Sequence, residues 1–163
     1  LSQIKLIKNF VNSKDETIFI FEDDIDKDII KNYKDIIKNS MENIPDDWDI
    51  VFFGRCYDNC KQMKQINNNL YQVYEPLCRH AYGLSKKGAE KILKYTVPMI
   101  DNGDQMYKNN INNGNITAYA IHPDIFLQNR NEMDSNIGNT NFFTKIFKKK
   151  NNNKILLPTC SSD

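Results

Sequence analysis

The stretch TIFIFEDDID, Thr17 to Asp26, decides the reading of this chain. Five β-forming residues run without interruption into the carboxylates Glu22, Asp23 and Asp24. A continuous apolar run of strand length, bounded by the turn residues NSKDE, predicts a strand buried on both faces, the pattern of a parallel sheet. Adjacent like charges repel, so three acids at the end of such a strand imply a positive partner or a cap.

Outward from this strand the pattern repeats. Before it, QIKLIKNFVN (3–12) places Ile4, Leu6, Ile7, Phe10 and Val11 at helical spacing. After it, DKDIIKNYKDIIKNSMENI carries apolar residues at 29, 30, 33, 36, 37 and 41, an amphipathic helix with Asp26 and Asp28 near its positive end. WDIVFFG reads as a second buried strand, and 55–69 as a polar, turn-rich loop. LYQVY alternates like an edge strand, and CRHAYGLS reads as a further strand. Ser85 caps the helix KKGAEKILKYTV without a complete capping box, because Gly88 stands where Glu is wanted, and Pro98 marks the end of that helix. DNGDQMYKNNINNG is a second helix stopped by Gly114, and NITAYAIHP a last strand. Strands alternating with helices predict an α/β fold, a mostly parallel central sheet with helices on both faces. The segment 141–163 reads as a basic, Asn/Lys-rich surface tail.

The 163 residues suit one domain with its own core, and 40% hydrophobic residues exclude a disordered chain. A net charge of +1 calls for neither nucleic acid nor an anionic membrane. No apolar run approaches the roughly 20 residues of a membrane helix. LSQIKLIKNF carries lysines within its apolar run and no small-residue cleavage site, so it does not read as a signal peptide. The compartment stays open, the cytoplasm ahead of secretion. Of the cysteines 56, 60, 78 and 160, CYDNC lacks the second pair or spaced histidines of a zinc site. Ordinary free thiols are the simplest expectation, and a Cys56–Cys60 disulfide is the main alternative. Asn supplies 23 of the 163 residues, which reads as coding bias.

In an open α/β sheet, ligands bind at the carboxyl ends of strands. Acids there can hold a hard cation, share a proton, or cap the next helix through Asp24 or Asp26. The ordered series FIFEDDID, IPDDWDIVFFG, HAYGLSKKGAEKIL and HPDIFLQ, with DSNIG downstream, resembles the family-25 glycosyltransferases, which include bacterial lipooligosaccharide and collagen galactosyltransferases. The opening LSQIKLIKNFV is similar to the start of that family's block, with Gln3 where a His is usual.

The resemblance runs from about Leu1 to about Gly138 and implies a GT-A-like nucleotide-sugar fold over 1–140. It implies that a hexose, galactose or glucose, passes from a UDP-sugar to a glycan or hydroxylysine-like acceptor, with Mn²⁺ or Mg²⁺ as the acids' positive partner. Asp24, then Glu22, are the implied metal ligands, with His122 as a third. Asp23 is assigned to donor sugar or ribose hydroxyls. His80 and Tyr82 could line the site or simply pack in the core. Asp101 and Asp104 both fit the family's acidic position that holds or deprotonates the acceptor hydroxyl; Asp101 could instead cap the next helix. Gln128 and Ser135 match a Q…S spacing that binds ligand or braces a loop, although Asn136 replaces the family's acid. The family's domain also opens with an earlier strand, in a half that binds uracil and ribose, which implies a missing N-terminal half or a partner that completes the fold. Two other expectations compete: a non-catalytic nucleotide-sugar-binding remnant, and an unrelated metal-dependent phosphohydrolase.

Overall fold

The computed structural model describes residues 2–25 and 31–128. Its elements are α1 (Ser2–Val11), β1 (Thr17–Phe21), α2 (Tyr33–Glu42), β2 (Ile50–Gly54), β3 (Lys64–Gln65), β4 (Leu70–Val73), β5 (Ala81–Ser85), α3 (Lys86–Thr96), α4 (Gly103–Asn112) and β6 (Ala118–Ile121). The tail 141–163 and the start of the expected second helix, Asp26 to Ile30, lie outside the described residues.

The strands form one six-stranded sheet in the order β1-β5-β2-β6-β4-β3. The chain is therefore α/β, but the sheet is not mostly parallel: only β2 and β6 pair in parallel, and the other four ladders are antiparallel. The apolar pattern could not reveal this. β5 lies antiparallel between β1 and β2 and is itself covered on both faces, so it looks like a buried parallel strand. LYQVY is also not the edge, because the two-residue β3 lies outside β4. The described edge at the other end is β1, where Phe19 and Phe21 stay 47% and 50% exposed rather than buried. Their rings instead pack on Phe53 and Phe126 on one face.

Helices cover both faces, as the alternation predicts. Ile50, Phe52, Tyr82, Leu84, Ala118 and Ala120 pack beneath Ile7 and Phe10 of α1, Ala89 and Ile92 of α3, and Tyr107 and Ile111 of α4. Val51, Phe53, Tyr119 and Ile121 face Tyr33, Ile36, Ile37 and Met41 of α2. Each fully buried large apolar side chain contributes about 1.5–3 kcal/mol. Ser85 caps α3 by accepting a hydrogen bond from Gly88 N at 3.0 Å. Gly114, at φ 74, follows α4 as the stop signal predicts.

β5 is antiparallel to both β1 and β2, so those two strands run the same way, and β6 runs with β2. The carboxyl ends of β1, β2 and β6 therefore meet at one sheet edge, together with the start of β5.

Candidate functional site

At that edge, α1 delivers Gln3, the exit of β1 delivers Glu22 to Asp24, and the approach to β5 delivers Arg79 and His80. Gln3 Nε2 donates to Glu22 Oε1 at 2.7 Å, and Gln3 Oε1 accepts from Arg79 Nη1 at 2.6 Å and from Tyr82 OH at 3.1 Å. Arg79 Nε donates to Asp104 Oδ1 at 2.7 Å, and its guanidinium stacks 4.7 Å from the Tyr107 ring centroid. An unbroken chain of contacts thus runs from Glu22 through Gln3 and Arg79 to Asp104. Gly103 makes room for it, since a Cβ there would stand 2.1 Å from Arg79 Nη2. Burial pushes the Glu22 carboxyl above its ordinary range, against the opposing pull of Arg79 and Gln3.

The structure separates Asp101 from Asp104. Asp104, in the first turn of α4, faces Arg79 with its side chain 40% exposed. Asp101 is exposed and accepts from Asn102 N at 2.7 Å; the N-cap of α4 is Asn102, not Asp101. Asp24 caps no described helix, since α2 begins only at Tyr33 with Asn32 as its N-cap. Instead Gln128 Nε2 donates to Asp24 Oδ2, while the buried Asp24 Oδ1 has no hydrogen-bond partner among the described residues. Asp23 is exposed at the turn. Tyr82 is a core residue with its hydroxyl on Gln3, and burial raises its pKa. His80 is buried and braces two loops: its Nε2 donates to Phe126 O at 2.9 Å, and its carbonyl accepts from Glu22 N at 2.8 Å. Ser135 lies outside the described residues.

His122 does not join the acids. Its ring packs against Tyr71, with centroids 5.7 Å apart, and its backbone pairs with Asn69. Burial, then Arg55, lower its pKa. Among the described residues no group of three or more His, Cys, Asp or Glu side chains could hold a metal, so Glu22, Asp24 and His122 form no three-ligand set.

A second charged cluster, absent from the sequence reading, closes the exit of β2. Arg55 reaches Asp58 Oδ2 at 3.5 Å and Asp124 Oδ1 at 3.3 Å, all three side chains being nearly sealed from solvent. Arginine was the available signal. The chain has three arginines among 22 basic residues, and two of them, Arg55 and Arg79, meet carboxylates with a planar, forked cation. Burial raises both carboxyls, Asp124 to about 7.

This shift has a definite sign. The native Asp124 holds its proton up to about pH 7, whereas the unfolded one releases it near 3.8. The native state binds more protons between those values, so the Asp124 contribution to stability is lost as pH rises through that window. Thermal unfolding of Asp124→Asn, compared with the parent from pH 4.5 to 8, is expected to show the flatter profile. Parallel profiles would contradict it.

The cysteines follow neither expectation. Cys56 pairs with Cys78, 22 residues away, and no described cysteine is a free thiol. The exit of β2 is thereby tied to the approach of β5.

No family model matches this sequence, and a search of curated proteins finds no match.

Proposed function

We propose that the chain is a glycosyltransferase domain of GT-A-like type that moves a hexose from a UDP-sugar to a hydroxyl acceptor. One observation carries the reading: residues marked by the family-25 resemblance and far apart in sequence (Gln3, Glu22, Asp24, Tyr82, Asp104 and Gln128) lie at a single sheet edge. A divalent cation fits the acids. Asp24 Oδ1 is buried and unbonded among the described residues, and burial of Glu22 disfavours its charged form; an oxygen-seeking ion relieves both. Magnesium-type sites commonly use one or two carboxylates plus phosphate and water, so Glu22 and Asp24 suffice without His122. When bound, the ion would neutralise charge on the departing diphosphate.

The chain's own residues supply the rest. Gln3 and Gln128 orient Glu22 and Asp24. Arg79 fixes one oxygen of Asp104, whose exposed side can accept the proton of an acceptor hydroxyl. Asp23 is exposed at the same turn, and in this reading it meets sugar or ribose hydroxyls.

The test is release of UDP from UDP-galactose and UDP-glucose, with and without Mn²⁺ and simple glycan acceptors. Metal-dependent release that an acceptor accelerates is the expected result. Binding of both donors without any release would favour a non-catalytic remnant of the same fold.

A further inference from the structure

We propose that the Cys56–Cys78 disulfide is a redox-sensitive brace of the acid site, which is intact in an oxidising compartment and comes apart when a dithiol reduces the bond. Only the ligand-binding part of the test rests on the glycosyltransferase reading.

The position of the bond carries the argument. Cys56 follows Arg55, the centre of the buried cluster with Asp58 and Asp124. Cys78 precedes Arg79, which links Gln3 to Asp104. The Cys56 sulfur also lies 3.6 Å from the side-chain oxygen of Gln128, the residue that holds Asp24. The bond thus contacts Gln128 and stands next in the chain to Arg79, two of the residues that hold the acids, and to Arg55 of the second cluster. Cys78 has φ 62, a left-handed conformation that is costly for a side chain with a Cβ and persists only where its surroundings impose it. Release of the sulfur lets this residue relax and turns the next peptide, that of Arg79. The guanidinium sits close against Gly103, where even a Cβ would stand 2.1 Å from Nη2, so a turn of this peptide displaces it from a tight fit.

The bond is also open to exchange. Cys78 is partly exposed, so a thiolate from solvent can reach its sulfur. In the reduction, one sulfur of a dithiol attacks Sγ of Cys78 and Cys56 Sγ leaves as the thiolate. The second sulfur of the reductant then closes its own disulfide and releases Cys78. Two electrons pass from the dithiol to the protein, and two protons complete the thiols. A disulfide of this kind persists in an oxidising compartment and not in the reducing cytoplasm expected from the sequence.

The experiment is hydrogen exchange by mass spectrometry on the oxidised protein, across a graded series of dithiothreitol, and on Cys78→Ser. Mn²⁺-dependent UDP binding is measured on the same samples. Faster exchange at 2–6, 54–60, 76–82 and 102–107, with 50–53, 86–96 and 118–121 still protected, is expected, together with UDP binding weakened about tenfold. Unchanged exchange around Arg79 would overturn the proposal, and so would unfolding of the whole sheet on reduction, because the bond would then be general scaffolding. Absence of UDP binding by the oxidised protein would count against the glycosyltransferase reading alone, and the exchange pattern would still decide the role of the bond.

Discussion

Replacement of Asp104 by asparagine is expected to lower hexose transfer by about 10²–10⁴-fold, the usual contribution of a positioned general base, while Asp101→Asn leaves transfer within about twofold of the parent. Both acids stand at the start of α4, and both fit the same place in the sequence pattern. Their surroundings differ. Asp101 spends its carboxylate on the neighbouring Asn102 N–H in an exposed turn. Asp104 is aimed by Arg79, which is in turn held by Gln3 and Tyr107. Asparagine keeps the size and one acceptor oxygen of Asp104 but cannot take up a proton, so loss of rate with unchanged donor affinity identifies the base. Equal effects of the two substitutions, measured as kcat and KM for transfer, would remove Asp104 from that role.

Arg55→Met is expected to destabilise the fold by about 3–5 kcal/mol, the usual cost of removing one member of a buried charged group. The substitution strands Asp58 and Asp124, whose side chains are 1% exposed. Protonation of Asp124 softens the loss at low pH, so the effect is larger at pH 8 than at pH 5. Arg55→Lys should not restore stability, because an ammonium cannot reach two carboxylates on separate loops with one planar fork. Denaturant unfolding gives the result directly. A loss below about 1 kcal/mol would place the pair among interactions no stronger than surface ion pairs.

Element positions and the place of the acids at a strand end were legible in the sequence because both are local. TIFIF, IVFFG and AYGLS carry their strand character in consecutive residues, and the Glu22–Asp24 acids end the first of them. Strand direction was not legible. An antiparallel strand buried beneath helices on both faces, as β5 is, has the same composition as a parallel one. Phe19 and Phe21 strengthened the misreading, since they are half exposed yet apolar and cover Phe53 and Phe126. The disulfide was hidden for a different reason. Four cysteines allow three full pairings, and only the fold brings the β2 exit to the β5 approach. Gln3 was noticed only as a departure from a family pattern. Its amide proves to be the hub, with one end on Glu22 and the other on Arg79 and Tyr82, and only the packing of α1 against the sheet places it there. Arg55 and Arg79 left a compositional trace, but their carboxylate partners lie 3 to 69 positions away and no spacing rule connects them.

The acid site as a cation-dependent nucleotide-sugar site is tested most directly by calorimetric titration of UDP into the protein with and without Mn²⁺, on the parent and on Asp24→Ala. Asp24 has one oxygen held by Gln128 and one buried oxygen unbonded among the described residues, so its removal takes away a proposed cation ligand while Glu22 keeps its own hydrogen bond from Gln3. The account predicts UDP binding by the parent that requires Mn²⁺ and weakens at least about thirtyfold in Asp24→Ala, roughly the 2 kcal/mol of one charged contact, with thermal unfolding nearly unchanged. UDP binding that ignores Mn²⁺, equal affinity in the two proteins, or no UDP binding by the parent would contradict it.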